Sequence, residues 1–496
     1  MLHRRVCILA LCIFGIASAT ADTYIVNPLG TGDFPTIQAA LNAASDGDSI
    51  ELAEGTYTGD GNRDLDFMGK AITVRSQSGD ADNCVIDCEG SEADLHRGFI
   101  FQSNEGPQSV VEGIMVTNGY ADPGGGGAYC EYSASPTFMG CTFAGNGAHG
   151  GGGMWIYCSS APNIIDCEFR DNWCTGQNGG GVLCGVLSEP SFTGCTFENN
   201  RSEGFGGGIL CYTSSSAVLA ECVFIGNEAW VTGGAAYCGW SSDVIFEKCI
   251  FAGNTGELGG GAVRCYEQSD AEIRQCTFYA NGGTYGGGVY CTDSSHPLIE
   301  NTIIAFSTEG EGVHCGGGSN AVLACCDLYG NEGGDWVGCV ASQLGVNGNI
   351  WEDPELCAPE QLNFALREGS PCGPESNPSC GLIGAVAVGC GTMGVGEERT
   401  RGVGRVITFA APNPFREGTE IRYWVPGGNE ARIRLKVFDT AGRLVRILAE
   451  GVEGAGMQRV FWGGTDTVGK RVEAGVYFYE LSVDDARATR RMILMP

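Results

Sequence analysis

The residues that could act as a general base lie at scattered positions in this sequence. The repeating segment described below holds five basic side chains: Arg170, Arg201, Lys248, Arg264 and Arg274. A polysaccharide lyase needs such a base beside its substrate, and a glycosidase needs two carboxylates about 5 to 9.5 Å apart. His149 and Asp484-Asp485 both lie in predicted surface turns. Because the bases share no common spacing, we predict no catalytic residues.

Cysteine is the second residue type with chemical potential, and the chain has 26 of them. One column of cysteines recurs at a fixed place in successive repeats: Cys141, Cys167, Cys195, Cys222, Cys249, Cys276 and Cys326. With one cysteine per repeat, the stacked thiols lie in a line along the axis and cannot surround a metal ion tetrahedrally. We therefore predict no metal site and no cofactor. Stacked rungs about 4.8 Å apart fall within the disulfide Cα range, but their Cβ atoms point the same way. Buried free thiols are therefore favoured, and some bridges remain an alternative.

These cysteines belong to a repeat that begins at a glycine triplet or near-triplet. The third triplet positions recur 24 to 28 residues apart between Gly127 and Gly312. One aromatic column follows each triplet by sixteen residues: Phe143, Phe169, Phe197, Phe224, Phe251 and Phe278. One asparagine column follows it by nineteen: Asn146, Asn172, Asn200, Asn227, Asn254, Asn281 and Asn331.

The repeat unit of about 27 residues has short alternating stretches and cannot bury its own inner face. Wound as a coil, it stacks on the next unit through parallel backbone hydrogen bonds, so equal offsets become ladders of equal side chains. We therefore predict an all-β fold: a right-handed parallel β-helix with three-sheet coils, followed by a small antiparallel β-sandwich. We expect the asparagine ladder to be structural, with side chains bonded along the axis.

Composition shifts divide the chain further. The predicted segments are a signal peptide (1–21), a β-helix (22–392), a linker (393–407) and an Ig-like sandwich (408–496). Within the β-helix we distinguish an N-terminal cap (22–122), regular coils (123–337) and a cysteine-rich cap (338–392). The signal peptide is predicted because Arg4 and Arg5 precede an apolar run that is too short to span a bilayer.

The two caps carry different signals. Ile37, Ala40, Leu41 and Ala44 share one face of a short helix, which we expect to cover the open edge of the first coil. In the cysteine-rich cap, Ser370-Pro371-Cys372 and Ser379-Cys380 bracket a small loop, so Cys372–Cys380 is a possible disulfide.

Charge excludes some partners. The net charge is −31. Residues 401–496 hold 15 basic residues (Lys and Arg) and 11 acidic residues (Asp and Glu). The rest of the chain therefore holds 13 basic and 48 acidic residues. A surface this acidic excludes nucleic acid as a partner and disfavours a polyanion. The excess acid residues suggest at most weak surface binding of Ca²⁺, because no Ca²⁺ loop is present.

The repeats resemble those of polymorphic outer-membrane proteins, which are marked by a Gly-Gly-Ala-Ile-like turn and a Phe-x-x-Asn segment. Here the matching residues are Gly-Gly-Ala-Ala at 233–236 and Phe251-Ala252-Gly253-Asn254, and the match covers about 125–331. The N-terminal segment is similar to that of pectin-lyase-like β-helix proteins. The first resemblance implies adhesion at a bacterial surface.

The last segment resembles the Ig-like module of flagellar hook-capping proteins and the sorting domains of type IX secretion. The residues that carry this resemblance are Asn413-Pro414-Phe415, Tyr423-Trp424-Val425-Pro426, Val437-Phe438-Asp439, Gly442 to Arg446 and Gly475 to Tyr479. It implies export, with 408–496 contacting the secretion machinery.

From these observations we predict a secreted or cell-surface bacterial rod that binds glycans or a host-cell ligand without catalysis, and that has no transmembrane span. Exposed aromatic side chains are candidates for stacking on sugars, or alternatively for packing: Trp155, Trp173, Trp230 and Trp240. The alternative function is an extracellular lyase or glycosidase of acidic glycans.

Overall fold

The computed structural model describes residues 21–390, 408–411, 416, 418–425, 431–439, 442–453, 456–467, 469–483 and 486–494. The chain divides into two units, one ending at Val395 and one beginning at Gly396. The predicted signal peptide, except for Ala21, and the predicted linker lie outside the described residues, as do Asn413-Pro414-Phe415 and Asp484-Asp485.

The first unit winds as a parallel β-solenoid whose strands form three long sheets, which we call A, B and C. The strands of sheet A are Thr23–Val26, Ser49–Leu52, Thr73–Ser76, Val110–Glu112, Thr137–Met139, Asn163–Ile165, Ser191–Thr193, Val218–Ala220, Ile245–Glu247, Glu272–Arg274, Leu298–Glu300 and Val322–Ala324. The strands of sheet B are Gly55–Tyr57, Cys84–Asp87, Met115–Thr117, Thr142–Ala144, Glu168–Arg170, Thr196–Glu198, Val223–Ile225, Ile250–Ala252, Thr277–Tyr279, Ile303–Ala305 and Asp327–Tyr329. The strands of sheet C are Leu65–Asp66, Phe99–Phe101, Ala128–Cys130, Met154–Ile156, Val182–Gly185, Ile209–Tyr212, Ala236–Gly239, Val263–Tyr266, Val289–Thr292 and Val313–Cys315.

A fourth, shorter sheet departs from the predicted three-sheet coil, and we call it sheet D. Its strands are Tyr120–Gly124, Gly147–Gly150, Trp173–Asn178, Arg201–Ser202, Glu228–Ala229 and Thr255–Gly256. Five of these strands directly follow an asparagine of the ladder, whereas Tyr120–Gly124 follows Gly119, and each strand pairs with its neighbours in parallel before the chain turns at the glycine triplet. Three of these strands have only two residues and the three longer ones contain glycine and polar residues, so none has the periodic apolar signal from which a strand is predicted.

The interior is built from the predicted columns. Phe197 pairs in register with Phe224, and their rings stack at 4.5 Å between centroids with an angle of 5°. Phe251 and Phe278 stack at 4.4 Å. The column cysteines are buried free thiols. The Cys249 thiol donates to the carbonyl oxygen of Leu219 at 3.4 Å, so polar atoms inside the coil are satisfied by backbone groups.

The N-terminal cap contains the predicted helix, Ile37–Ala43. The Thr36 hydroxyl caps it by accepting a hydrogen bond from the backbone N–H of Ala39. Ile37, Ala40 and Leu41 are buried against the interior of the first coils. A short 3₁₀ helix, Ala81–Asn83, leads into the next sheet B strand.

The cysteine-rich cap corrects one prediction. Cys372 and Cys380 do not pair: Cys380 is bonded to Cys325, and Cys372 is a buried free thiol. Cys315–Cys339 and Cys357–Cys390 are the other two disulfides. The reason is that the cap folds back over the solenoid, which brings Cys380 against the outward member of the Cys325-Cys326 pair while Cys326 stays inside.

This returning segment covers part of sheet B. It contains the 3₁₀ helices Gly338–Gln343 and Pro359–Gln361 and the antiparallel pair Leu356–Ala358 and Asn363–Leu366. Its apolar side chains pack on outward residues of sheet B in one cluster, which includes Val223, Ile250, Ile303, Phe364 and Ile383. The outer face of sheet B is therefore apolar where the cap lies, and polar at Glu168 and Arg170, outside that cluster.

The second unit consists of two antiparallel sheets, as predicted. One sheet contains Thr408–Ala411, Thr419–Val425 and Gly456–Trp462. The other contains Leu444–Glu453, Ala431–Asp439, Gly475–Val483 and Ala486–Leu494. Their inward residues share one core, in which Tyr423 and Trp462 from the first sheet meet Leu435 and Tyr479 from the second.

Candidate functional site: an aromatic side of the solenoid

The basic side chains singled out in the sequence do not converge. Arg274 lies on sheet A, Arg170 on sheet B, Arg264 on sheet C and Arg201 on sheet D, while Lys248 occupies an exposed turn. Arg170 and Arg274 pair with carboxylates of their own sheet surface. In the described ranges, no group of three or more His, Cys, Asp and Glu side chains is arranged to hold a metal ion.

The four candidate tryptophans lie at two sheets that follow one another in the coil, Trp173 and Trp230 at sheet D and Trp155 and Trp240 at sheet C. Trp173 and Trp230 border an open depression of about 490 Å³ over sheet D, and each is 39% exposed. We call this depression the tryptophan groove. Its remaining lining comes mainly from Asp171, Thr175, Asn199, Arg201 and Glu203.

Register on sheet D positions the groove. Trp173 pairs with Arg201 and Arg201 pairs with Glu228, so these side chains form one outward column. Glu203 and Trp230 directly follow these two-residue strands, two positions after Arg201 and Glu228, and both are exposed on the same outward side. The residues between them, Ser202 and Ala229, are buried. Trp173 and Trp230 thus lie diagonally across two rungs, about 12 Å apart between Cα atoms.

Two contacts fix the rings. Trp173 lies against Tyr120 with 5.5 Å between ring centroids. A Cβ at Gly147, the residue between them in the column, would come within 2.5 Å of the Trp173 ring, so only glycine leaves room for both aromatic side chains. The Arg201 guanidinium stacks over Trp230 at 4.8 Å, and its Nε lies 3.7 Å from Glu228.

A second aromatic surface covers the outer face of sheet C, and we call it the aromatic face. Leu183 and Leu210 form its centre together with six aromatic residues: Trp155, Tyr157, Phe205, Tyr212, Tyr237 and Tyr266. Trp240 joins this cluster through ring contacts, and Tyr290 lies against Arg264 at its end. Ring centroids of neighbours lie 4.9 Å apart for Phe205 and Tyr237 and 5.7 Å apart for Trp240 and Tyr266. Trp240 is 40% exposed, whereas Tyr237 is buried.

Glycine alternates with tyrosine in one column of this face. Tyr157, Gly185 and Tyr212 follow one another on successive coils, and a Cβ at Gly185 would come within 2.6 Å of Tyr157 and 2.7 Å of Tyr212. The two phenol oxygens meet above the glycine at 3.4 Å. Burial raises the pKa of Tyr212 well above its usual value, so the phenol stays neutral.

One cation is built into the aromatic face. Arg264 is 6% exposed, and its guanidinium lies 3.8 Å from the centroid of the Tyr290 ring and 5.3 Å from that of Tyr266. Its Nη2 donates to Thr292 Oγ1 at 2.5 Å and its Nη1 to the carbonyl oxygen of Tyr290. Two ring faces, the Thr292 hydroxyl and one backbone carbonyl therefore stabilise this buried guanidinium, and its Nε has no hydrogen-bond partner among the described residues.

Sequence reasoning singled out the four tryptophans but missed the tyrosine columns. Aromatic residues recur two and four positions after the last residue of the glycine triplet, as in Trp155, Tyr157, Tyr212 and Tyr237. This recurrence is irregular because other coils have Leu183, Gly185, Leu210 and Arg264 at the same two positions.

The family to which the solenoid belongs is established by comparison. Residues 50–229 and 204–351 match the model of the right handed beta helix region, and together these spans cover more than half of the chain. The chain belongs to this family of right-handed parallel β-helices. That assignment confirms the predicted fold class and fits a surface or extracellular repeat protein.

Other comparisons add little. Dimeric latent PorU from Porphyromonas gingivalis is 21% identical over 18% of this chain, with a TM-score of 0.17. The match spans 9% of that protein's length. No curated protein matches the chain. Within the described residues, no helix has the length and apolar character that crossing a membrane requires.

Proposed function

We propose that this protein is an exported, non-catalytic rod that binds glycans at the tryptophan groove. One observation carries the proposal: two half-exposed indoles, Trp173 and Trp230, face outward on either side of Arg201 in an open depression. A pyranose ring has an apolar C–H face that packs on an indole ring, and hydroxyl edges that need polar partners. The groove offers both kinds of surface.

The polar lining supports an orienting role. Asp171, Asn199, Glu203 and Thr175 border the indoles, so carboxylate, amide and hydroxyl groups are within the same depression. Arg201 supplies guanidinium N–H donors beside Trp230. A small number of polar groups around an aromatic floor is typical of sites that hold a small polar ligand in one orientation.

The aromatic face extends the surface along the rod axis. It spans the coils from Trp155 to Tyr290 on sheet C, which follows sheet D in every coil that has both. Tight ring-to-ring packing there provides rigid, partly exposed contact area at a low entropic cost. An adhesive rod benefits from such repetition because weak contacts along one polymer add through effective concentration.

The same observations disfavour the enzymatic alternative. Cleavage of an acidic glycan needs a base and a partner group at one bond, and the basic side chains of the coils lie on four different sheets. Arg201, the base nearest the groove, is stacked on Trp230 and faces Glu228.

Export and surface delivery are part of the proposal. The apolar run behind Arg4 and Arg5 supports a signal peptide. One disulfide within the cysteine-rich cap and two that join the cap to the regular coils fit an oxidising compartment. The separate antiparallel unit supports a delivery role for 408–496 through secretion machinery. Deleting this unit should leave the rod inside the producing cell; unchanged surface display would remove the delivery role.

A glycan array tests the binding proposal. The full chain should bind a subset of oligosaccharides, with or without added Ca²⁺, and Trp173→Ala/Trp230→Ala should lose that binding. Trp351→Ala is the matched control, since Trp351 is 56% exposed in the cysteine-rich cap. Equal binding by the double variant, or release of shortened products from the array, would contradict the proposal.

A further inference from the structure

We infer that the tryptophan groove prefers glycans that carry free amino groups, such as oligomers of unacetylated glucosamine. This inference rests on the proposed glycan binding and names its ligand class. It is carried by the charges around the two indoles, by a cation already bound to one of them, and by the charge of the solenoid.

The rim of the groove is acidic. Asp171 and Glu203 line it beside one lining cation, Arg201, whose Nε already lies 3.7 Å from Glu228, a carboxylate outside the lining. Arg170 lies 3.8 Å from Asp171 but also 3.7 Å from Glu168, so its charge is shared between two carboxylates. Glu203 has no ion-pair partner among the described residues, and its side chain is exposed. The site therefore offers an unneutralised carboxylate to a ligand.

The indoles suit a cation as well as a sugar face. Trp230 already holds the Arg201 guanidinium at 4.8 Å from its ring centroid. Trp173 has Tyr120 on one side and is otherwise 39% exposed, so part of its surface is open. An ammonium group beside an indole and a carboxylate gains attraction from both, and water screens the pair less in a concave site.

The two indoles are placed diagonally across the coils, so an extended ligand can contact both. Trp173, the Arg201–Glu203 rung and Trp230 succeed one another over about 12 Å. An extended oligosaccharide laid along this diagonal stacks one ring on each indole and passes Glu203 between them. An amino group on the intervening sugar then faces the Glu203 carboxylate.

The field of the whole solenoid acts in the same direction. Outside residues 401–496 the chain has 48 acidic and 13 basic residues. Such a surface raises the local concentration of cationic ligands and lowers that of polyanions.

Isothermal titration of the full chain tests the inference. The probes are hexamers of glucosamine, of N-acetylglucosamine and of β-1,4-linked glucose, with an oligogalacturonate and an oligolysine of equal length. We expect the glucosamine hexamer to bind about tenfold more tightly than the neutral hexamers at low salt, because one cation–π or ion-pair contact is gained. The preference should disappear above the pKa of the sugar amine.

A charge variant locates the effect. Glu203→Gln should lower the ratio of glucosamine to glucose hexamer affinity about tenfold, and Glu198→Gln, on sheet B of the same coil, should leave the ratio unchanged. Equal affinity for charged and neutral hexamers would overturn the amino-sugar inference while leaving glycan binding intact. Oligolysine binding as tight as that of the glucosamine hexamer would overturn it in favour of a basic polypeptide. Failure of every sugar to bind would overturn the proposed function itself.

Discussion

Asn200 and Asn227 lie one coil apart and are joined by two hydrogen bonds to a single oxygen. The Oδ1 atom of Asn227 accepts one hydrogen bond from Nδ2 of Asn200 at 2.9 Å and a second from the backbone N–H of Asn200 at 3.1 Å. Asn200 also donates from Nδ2 to the carbonyl oxygen of Phe169 at 2.8 Å. This pattern repeats along the column, so the ladder satisfies buried corner groups where sheet B ends and sheet D begins.

Replacing Asn200 with Ala should therefore destabilise the coils strongly. The change leaves the backbone N–H of Asn172 and the carbonyl oxygen of Phe169 without their side-chain partner inside the solenoid. We expect the free energy of unfolding to fall by about 3 kcal/mol. Urea unfolding followed by circular dichroism measures it, with Glu198→Ala on the outward face as control. A loss no greater than that of the control would show that the ladder is dispensable.

The Cys325–Cys380 disulfide should hold the cysteine-rich cap on sheet B. It closes a loop with a sequence separation of 55 residues, so the chain-entropy model gives about 4 kcal/mol of stabilisation. Cys325→Ser/Cys380→Ser should expose the apolar residues near Ile303 and increase protease cleavage within 353–388. Cys372→Ser removes a free thiol in the same cap and is the control for loss of sulfur. Unchanged cleavage in the double variant would mean that packing alone holds the cap.

Asp327 should make the stability of this cap depend on pH. It is buried beneath Cys372, whose thiol donates to its Oδ2 atom at 3.2 Å, and burial raises its pKa to about 7. Because the folded-state pKa lies above the unfolded value, the native state binds the proton more tightly, and stability falls as pH rises from about 4 to about 7.

The expected loss over that window is on the order of 2 to 4 kcal/mol, and Asp327→Asn should remove much of it. Thermal unfolding of both proteins across the window measures the difference. Burial also raises the pKa of Glu112 to about 7, so a smaller dependence of the same sign should remain in the variant. A variant curve that parallels the wild-type curve would contradict the assignment to Asp327.

Gly147→Ala should impair the tryptophan groove without removing any of its side chains. The new Cβ would lie within 2.5 Å of the Trp173 ring, so the indole must move away from Tyr120. We expect glycan affinity to fall at least fivefold, toward that of Trp173→Ala, in titration calorimetry. Gly106→Ala is the control, since its Cβ would meet only the flexible end of Gln108. Wild-type affinity in Gly147→Ala would show that the position of Trp173 does not matter.

The interior was predictable because its residues have few alternatives. A buried position next to Phe197 and Phe224 accepts only a side chain of similar size and shape, so the same residue type returns at the same offset. The asparagine at each corner is similarly constrained by the groups it must satisfy. Helix Ile37–Ala43 was predictable from its apolar face for the same reason.

The outer surface and the disulfides were not predictable in this way. Leu183, Tyr237 and Arg264 share an offset on the outer side of sheet C, and although all three are buried there, their side chains differ in size and polarity, so no residue type repeats. The partner of Cys380 depends on how the cap folds back over sheet B, which is a long-range contact that local spacing does not encode. The tryptophan groove likewise arises from a diagonal between coils rather than from one repeated offset.

The proposed glycan site is tested most directly by a crystal structure of the full chain with a bound oligosaccharide, which shows where the sugar rings lie. The glucosamine hexamer is the ligand of choice. We expect one pyranose ring on Trp173 and another on Trp230, with the intact hexamer crossing the rung of Arg201 and Glu203 between them. Sugar bound on another face of the rod, or a cleaved product in the groove, would contradict the account.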